Sequence, residues 1–229
     1  MNPRPLDPEA AEAIRQRYLK VDTATVSDVL DALGYLHQGL AGSFAPFPES
    51  TGKLAGWAYT ISGEMRPYAG SGDADKMKAV DGLKPGSVSV WSGAGDGVCF
   101  FGELIALGMK ERGCAGAVVD GGIRDIEWIA KQGFPVYARY RTPVQSIGRW
   151  KVTAWQVPAY LPGATKQHVI VNPGDFVLGD KDGIIVVPVD AVEKALNEAE
   201  RLTATEVKIR AELAAGATLE HVLAKYGHV

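Results

Sequence analysis

Two cysteines, Cys99 and Cys114, are all that the 229 residues contain, and neither lies in a CxxC pair. That excludes a disulfide framework and points to a reduced, cytoplasmic setting. The four histidines, His37, His168, His221 and His228, are scattered without ligand spacing, so no zinc site of nitrogen and sulfur ligands is expected. Long apolar runs are missing as well. Stretches such as Ile184 to Val187 are far too short to cross a bilayer, and the charged first twenty residues lack the apolar core of a secretion signal. The net charge is -3 with no basic cluster, which argues against nucleic acid as a partner. No GxSxG segment supports serine nucleophile chemistry. The glycine-rich segment Ser92–Cys99 fails as a dinucleotide fingerprint, because its third glycine would have to stand at Val98. It reads instead as a pliant loop facing a cleft.

What is present is an ordinary globular composition, 46% hydrophobic and 22% charged, enough for one sizeable core. Residues 8–19 read as a polar helix. Val21 to Gly34 reads as a second, with Thr25 and Asp28 as its cap signature and Gly34 as its stop. Residues 35–54 read as loop, Leu54–Ser62 and Ser87–Trp91 as strands. Further strands are expected at Val152–Val157, Val169–Asn172, Phe176–Leu178 and Gly183–Val187, with turns at Pro173-Gly174 and Asp182-Gly183. From Val189 to about Ala215 a long amphipathic helix is laced with Glu193, Lys194, Glu198, Glu200, Arg201 and Glu206. The division is an N-terminal helical appendage (1–20), an α/β domain (21–188) and a C-terminal helical arm (189–229).

The segment Phe100 to Tyr140 organises the rest. It reads as helix from Gly102-Glu103 to Gly113, strand Ala115–Val119, turn Asp120-Gly121-Gly122, helix to Gln132 with Gly133 as stop, then strand Phe134–Tyr140. Parallel strands with intervening helices bring the loops at 102–103 and 121–125 to one sheet edge, where ligands bind in open α/β sheets. Helix N-termini there offer free N–H groups and a positive dipole end to an anion. Glu103 and Asp125 each read most simply as first-turn acids. Arg124 does not, because a cation in a first helical turn opposes the dipole and asks for an anion or a carboxylate beside it. Any metal here would be held by carboxylates and water, which suits magnesium or manganese.

Glu103, then twenty residues, then Arg124-Asp125 resembles the acid-x20-Arg-Asp motif of class II pyruvate aldolases. These are the 4-hydroxy-4-methyl-2-oxoglutarate / 4-carboxy-4-hydroxy-2-oxoadipate aldolases, relatives of the RraA-type regulators of ribonuclease activity. The likeness extends through Phe101–Leu104, Gly121–Asp125, Gly133–Val136, Asn172–Asp175 and Asp182–Pro188, and so over roughly residues 20–215. The resemblance implies an RraA-like swivelling β/β/α sandwich, assembled as trimers or hexamers. It implies cleavage of a 4-hydroxy-2-keto diacid to pyruvate and a second keto acid, with oxaloacetate decarboxylation as a side activity. Carried over, the backbone amides of Gly102, Glu103, Leu104 and Ile105 bind the substrate carboxylate and Arg124 the C2 keto oxygen. Asp125 binds a divalent ion, Mg2+ or Mn2+, with Glu103 and an adjacent subunit's Glu206 acting through water. Arg66, Lys76, Lys78 and Arg141 are candidates for a distal carboxylate, although Lys76 and Lys78 read more simply as surface charges. A ribonuclease-binding regulator, or a lyase for another keto or sugar acid, is the competing reading.

Overall fold

The structure is a computed structural model that describes residues 7–93 and 95–228. Asp7 opens α1 (Pro8–Tyr18) by accepting from the Ala10 amide, with Pro8 at the first helical position. Helix α2 (Thr23–Ala32) starts at Asp22, earlier than the Thr25 signature suggests. Thr25 is buried inside it and does not stand at the cap, which Asp22 occupies. The next segment contributes only β1 (Ala45–Pro46) before β2 (Leu54–Met65).

Helix α3 (Ala74–Asp81) was not expected from the sequence. Asp73 caps it by accepting from the Asp75 and Lys76 amides. Strands β3 (Ser87–Ser92) and β4 (Cys99–Phe101) lead into α4 (Glu103–Glu111). Strand β5 (Gly116–Ile123) absorbs Asp120-Gly121-Gly122, read above as a turn. Gly121 explains the continuation: a Cβ there would stand 2.2 Å from the Phe100 ring, so a bare backbone can run straight past the aromatic side chain. Helix α5 (Ile126–Gln132) and β6 (Val136–Arg141) follow.

Strands β7 (Trp150–Trp155), β8 (Ala159–Pro162), β9 (His168–Val171), β10 (Phe176–Asp180) and β11 (Gly183–Val187) complete the β structure. The chain ends in α6 (Val192–Ala214) and α7 (Leu219–Tyr226).

The main sheet has the order β1-β6-β5-β3-β2-β10-β11, with β4 also on β5 and β7 also on β2. Strands β2, β3, β5 and β6 are mutually parallel, each joined by a helical crossover. Alternate residues face opposite layers, as the strand period requires. Val88, Val90 and Val118 pack under the β8–β9 ribbon with Leu161, Val169 and Val171. Ala117, Val119 and Trp91 face α3, α4 and α5 through Ala79, Ala106, Met109 and Ile129. A third cluster joins α1, α2 and α6 to β10 and β11 around Tyr18, Leu30, Phe176 and Leu196. Ribbon, sheet and helices therefore form a β/β/α sandwich, with a helical C-terminal segment. No helix among the described residues is long and apolar enough to cross a membrane.

Candidate active site

The candidate site lies at the C-terminal ends of β4, β5 and β6. Ile123, Arg124, Asp125, Ile126, Arg141, Thr142 and Pro143 line an open cleft of about 590 Å3. Helix α4 begins at Glu103 with Gly102 as an N-cap that supplies no side chain, so its first-turn amides need other acceptors. One acceptor is Asp125: the Glu103 amide donates to Asp125 Oδ2 at 3.2 Å. This bond stitches the β4–α4 corner to the β5–α5 corner, across 22 residues of sequence. The Leu104 and Ile105 amides complete the first turn and lack intrahelical partners.

Arg124 stands before α5, not within its first turn, because the helix starts two residues later at Ile126. The expected conflict with the dipole therefore does not arise. Its amide donates to Phe101 O at 3.1 Å, and its Nε lies 3.5 Å from Asp125 Oδ2. Asp125 takes the left-handed conformation, φ 60, and its carboxylate caps nothing on its own helix. Asparagine and aspartate tolerate that conformation best among residues with a side chain. Both side chains remain about two-fifths exposed, 44% for Arg124 and 40% for Asp125, and so are available to a ligand.

Glu103 is anchored from behind. Gln132 Nε2, at the C-terminal end of α5, donates to Glu103 Oε1 at 2.8 Å. Only the folded packing of α4 on α5 reveals this contact, since a terminal glutamine carries no motif. Lys76, named among the candidates for a distal carboxylate, reads from the sequence more simply as a surface charge. It is buried, not a surface charge, and donates from Nζ to Phe100 O at 3.0 Å. The Asp73 cap was the available signal for its helix. Of the other cations considered for a distal carboxylate, Lys78 pairs with Asp75 at 3.3 Å and Arg66 with Glu64 at 3.7 Å. Arg141 alone of the four lines the cleft beside Arg124. Cys99, next to them in β4, is buried, and burial raises its thiol pKa.

Glu206 is placed elsewhere within the chain. It bonds Arg210 at 2.6 Å and lies 3.5 Å from His228, on the helix packed against α2 and α1. Among the described residues, no three His, Cys, Asp or Glu side chains gather to hold a metal. The donors at the cleft nevertheless suit one kind of ion. A single half-exposed carboxylate with an open solvent side matches a hard divalent cation that keeps most of its water, as Mg2+ does. It does not match a closed protein cage.

A mixed sheet whose parallel strands end in polar side chains, layered between a β ribbon and helices, defines a sandwich of a recognisable class. The family model described as RraA-like, Aldolase/RraA, matches residues 23–186, and the chain belongs to that family. It is 31% identical over 191 residues to a protein of Halalkalibacterium halodurans named "Putative 4-hydroxy-4-methyl-2-oxoglutarate aldolase", covering 83% of each. It is also 28% identical over 230 residues to Protein DlpA of Legionella pneumophila. That match takes in 98% of this chain but only 36% of DlpA, so the chain spans about a third of that relative. Among solved structures, it resembles Streptomyces coelicolor RraAS2, described as an unusual member of the RNase ES inhibitor RraA protein family. The TM-score is 0.75 at 26% identity, over 90% of this chain and 98% of that one.

Proposed function

We propose that this chain is a divalent-metal-dependent aldolase that cleaves a 4-hydroxy-2-keto diacid, such as 4-hydroxy-4-methyl-2-oxoglutarate, to pyruvate and a second keto acid. Oxaloacetate decarboxylation is its side activity. The observation that carries the reading is the Glu103 N–H···Asp125 bond, which ties the first turn of α4 to the cleft that Arg124 and Asp125 line.

Each residue then has a physical task. The Leu104 and Ile105 amides receive the C1 carboxylate at the positive end of α4. The Arg124 guanidinium meets the C2 keto oxygen and holds the charge that develops there when the C3–C4 bond breaks and its electron pair moves toward C2. Proton loss from the C4 hydroxyl yields the second keto acid, and proton gain at C3 yields pyruvate. Asp125 would hold a Mg2+ or Mn2+ ion, with Glu103, fixed by Gln132, facing its water shell. When bound, the ion supplies Lewis-acid polarisation of the 2-keto group. Arg141, which lines the cleft, would meet the distal carboxylate. Glu206 serves a neighbouring copy in a trimer or hexamer, exchanging its Arg210 contact for that role.

A pyruvate-release assay across 4-hydroxy-2-keto diacids and oxaloacetate, with magnesium or with EDTA, tests the reading. We expect turnover with magnesium and none with EDTA. Arg124→Ala and Asp125→Asn should each lower kcat/KM by at least ~10²-fold with the fold intact. Wild-type-like rates in either variant would remove the mechanism. The likeness to RraAS2 favours one second reading, a protein that binds and inhibits a ribonuclease. Absence of all keto-acid turnover, with capture of a ribonuclease and loss of its RNA cleavage, would establish that reading instead.

A further inference from the structure

Lys76 is a buried cation that the proposed chemistry does not use. Only 7% of it is exposed. Its Nζ donates to Phe100 O at 3.0 Å and to Ser146 Oγ at 3.3 Å, and stands 5.2 Å from the centre of the Trp150 ring. That ring in turn stacks on Phe100 at 4.2 Å. The charged and titratable groups facing it are Asp73 at the cap of its own helix, Cys99 on β4 and Arg124 on the β5–α5 loop. Asp73 is already engaged, accepting from the Asp75, Lys76 and Val152 amides. No ion pair closes on Lys76 among the described residues. An ammonium held this way costs folding free energy, so its retention calls for a task.

Its location supplies one. Strand β4 is three residues long and delivers the chain to the α4 N-terminus. Each of its residues is gripped from outside. The Cys99 amide donates to Val144 O at 2.7 Å, Lys76 holds the Phe100 carbonyl, and the Arg124 amide holds the Phe101 carbonyl. Lys76 alone of the three grips through a charged group, since Val144 accepts through its carbonyl and Arg124 donates through its amide.

We propose that Lys76 is a positioning residue for the keto-acid site: its ammonium fixes the Phe100 carbonyl, and with it the α4 amides, and places positive charge beneath the substrate carboxylate. The inference rests on the keto-acid reading of the cleft. Burial, and after it the charge of Arg124, push the Lys76 ammonium down to about 8, against the pull of Asp73 and Cys99. The charge is therefore present at neutral pH and lost just above it.

The test is the pH dependence of oxaloacetate decarboxylation with magnesium between about pH 7 and 9, in wild type, Lys76→Met and Lys76→Arg. In wild type, KM should rise about tenfold across this window while kcat changes far less. Lys76→Arg, which stays charged, should keep the low KM and flatten the profile. Lys76→Met should show the raised KM throughout. Amide hydrogen exchange at Cys99, Glu103 and Arg124, followed at neutral pH, should quicken in Lys76→Met and not in Lys76→Arg. A KM for Lys76→Met within about twofold of wild type, together with unchanged exchange, overturns the proposal. So does a borohydride-trapped pyruvate adduct on Lys76, which would make it a nucleophile. If wild type turns over no keto acid, the functional reading falls, and the exchange comparison alone decides the role of Lys76. If Lys76→Met does not fold, the profile of Lys76→Arg decides it: a rise like that of wild type overturns the proposal.

Discussion

Gly102 has no room for a side chain. A Cβ there would stand 2.8 Å from Asp125 Oδ2 and 3.3 Å from Arg124 Cγ. Its φ of -154 is ordinary extended backbone, so the constraint is space and not conformation. Gly102→Ala should therefore push Asp125 and Arg124 apart without straining the chain. We expect kcat/KM for pyruvate release to fall by about tenfold or more, while the unfolding free energy from urea titration changes by no more than ~1 kcal/mol. At this scale the sequence was legible where spacing encodes geometry. Glu103 and Arg124-Asp125 open successive crossover helices on parallel strands, and that topology requires their corners to share an edge. Gln132 and Lys76 were not legible, because their contacts with Glu103 and Phe100 arise from helix packing that no local pattern records.

Helix α1 shows the same divide at the scale of elements. Asp7, Pro8 and the run that follows announce a helix, and one forms over Pro8–Tyr18. Its buried side is only Ile14 and Tyr18, too few to produce a marked apolar period. Yet Tyr18 is fully buried, stacks on Phe176 at 4.3 Å, and donates from Oη to Val192 O at 2.8 Å. Tyr18→Phe removes the second bond on the Val192 carbonyl, which keeps its helical partner, and should cost about 1 kcal/mol, whereas Tyr18→Ala also opens a cavity and should cost about 3–5 kcal/mol. Chemical denaturation of the two variants checks the difference. An equal loss in both would mean that the ring contributes nothing beyond its hydroxyl. Helix α3 was missed for a related reason: its stretch ADKMKAVD is too short and polar for periodicity, and only the Asp73 cap marks it.

For the whole molecule, Lys76 makes stability depend on pH in an unusual direction. The unfolded chain holds this proton up to about 10.5, and the folded protein releases it near 8. Between those values the unfolded state binds more protons, so raising the pH favours folding. The contribution is complete above the unfolded value and is lost as pH falls through about 8. Unfolding free energies from urea titrations at about pH 8, 9 and 10 should climb in wild type relative to Lys76→Met by an amount on the order of 2 kcal/mol, while the Cys99 and Cys114 thiols, pushed up by burial, oppose the climb equally in both. Tyr18, Tyr59 and Tyr137, whose hydroxyls burial pushes up, act in the opposite sense at higher pH and close the window. A climb that persists in Lys76→Met would assign the effect to another group.

The rim of the cleft divides labour in a way that bears on how such a protein could change its diet. Arg124 and Asp125 are tied into the corner by the Phe101 carbonyl and the Glu103 amide. Arg141, Thr142 and Pro143 line the same cleft from the end of β6 onward, and belong to none of the three core clusters. On the proposed keto-acid reading, the residues assigned to bond breaking and those assigned to the variable end of the substrate are thus carried by separate pieces of chain. Replacements at 141–143 can alter which acid is admitted while the packing of the sandwich is left untouched. Selection could then explore new substrates along that short wall at little risk to folding.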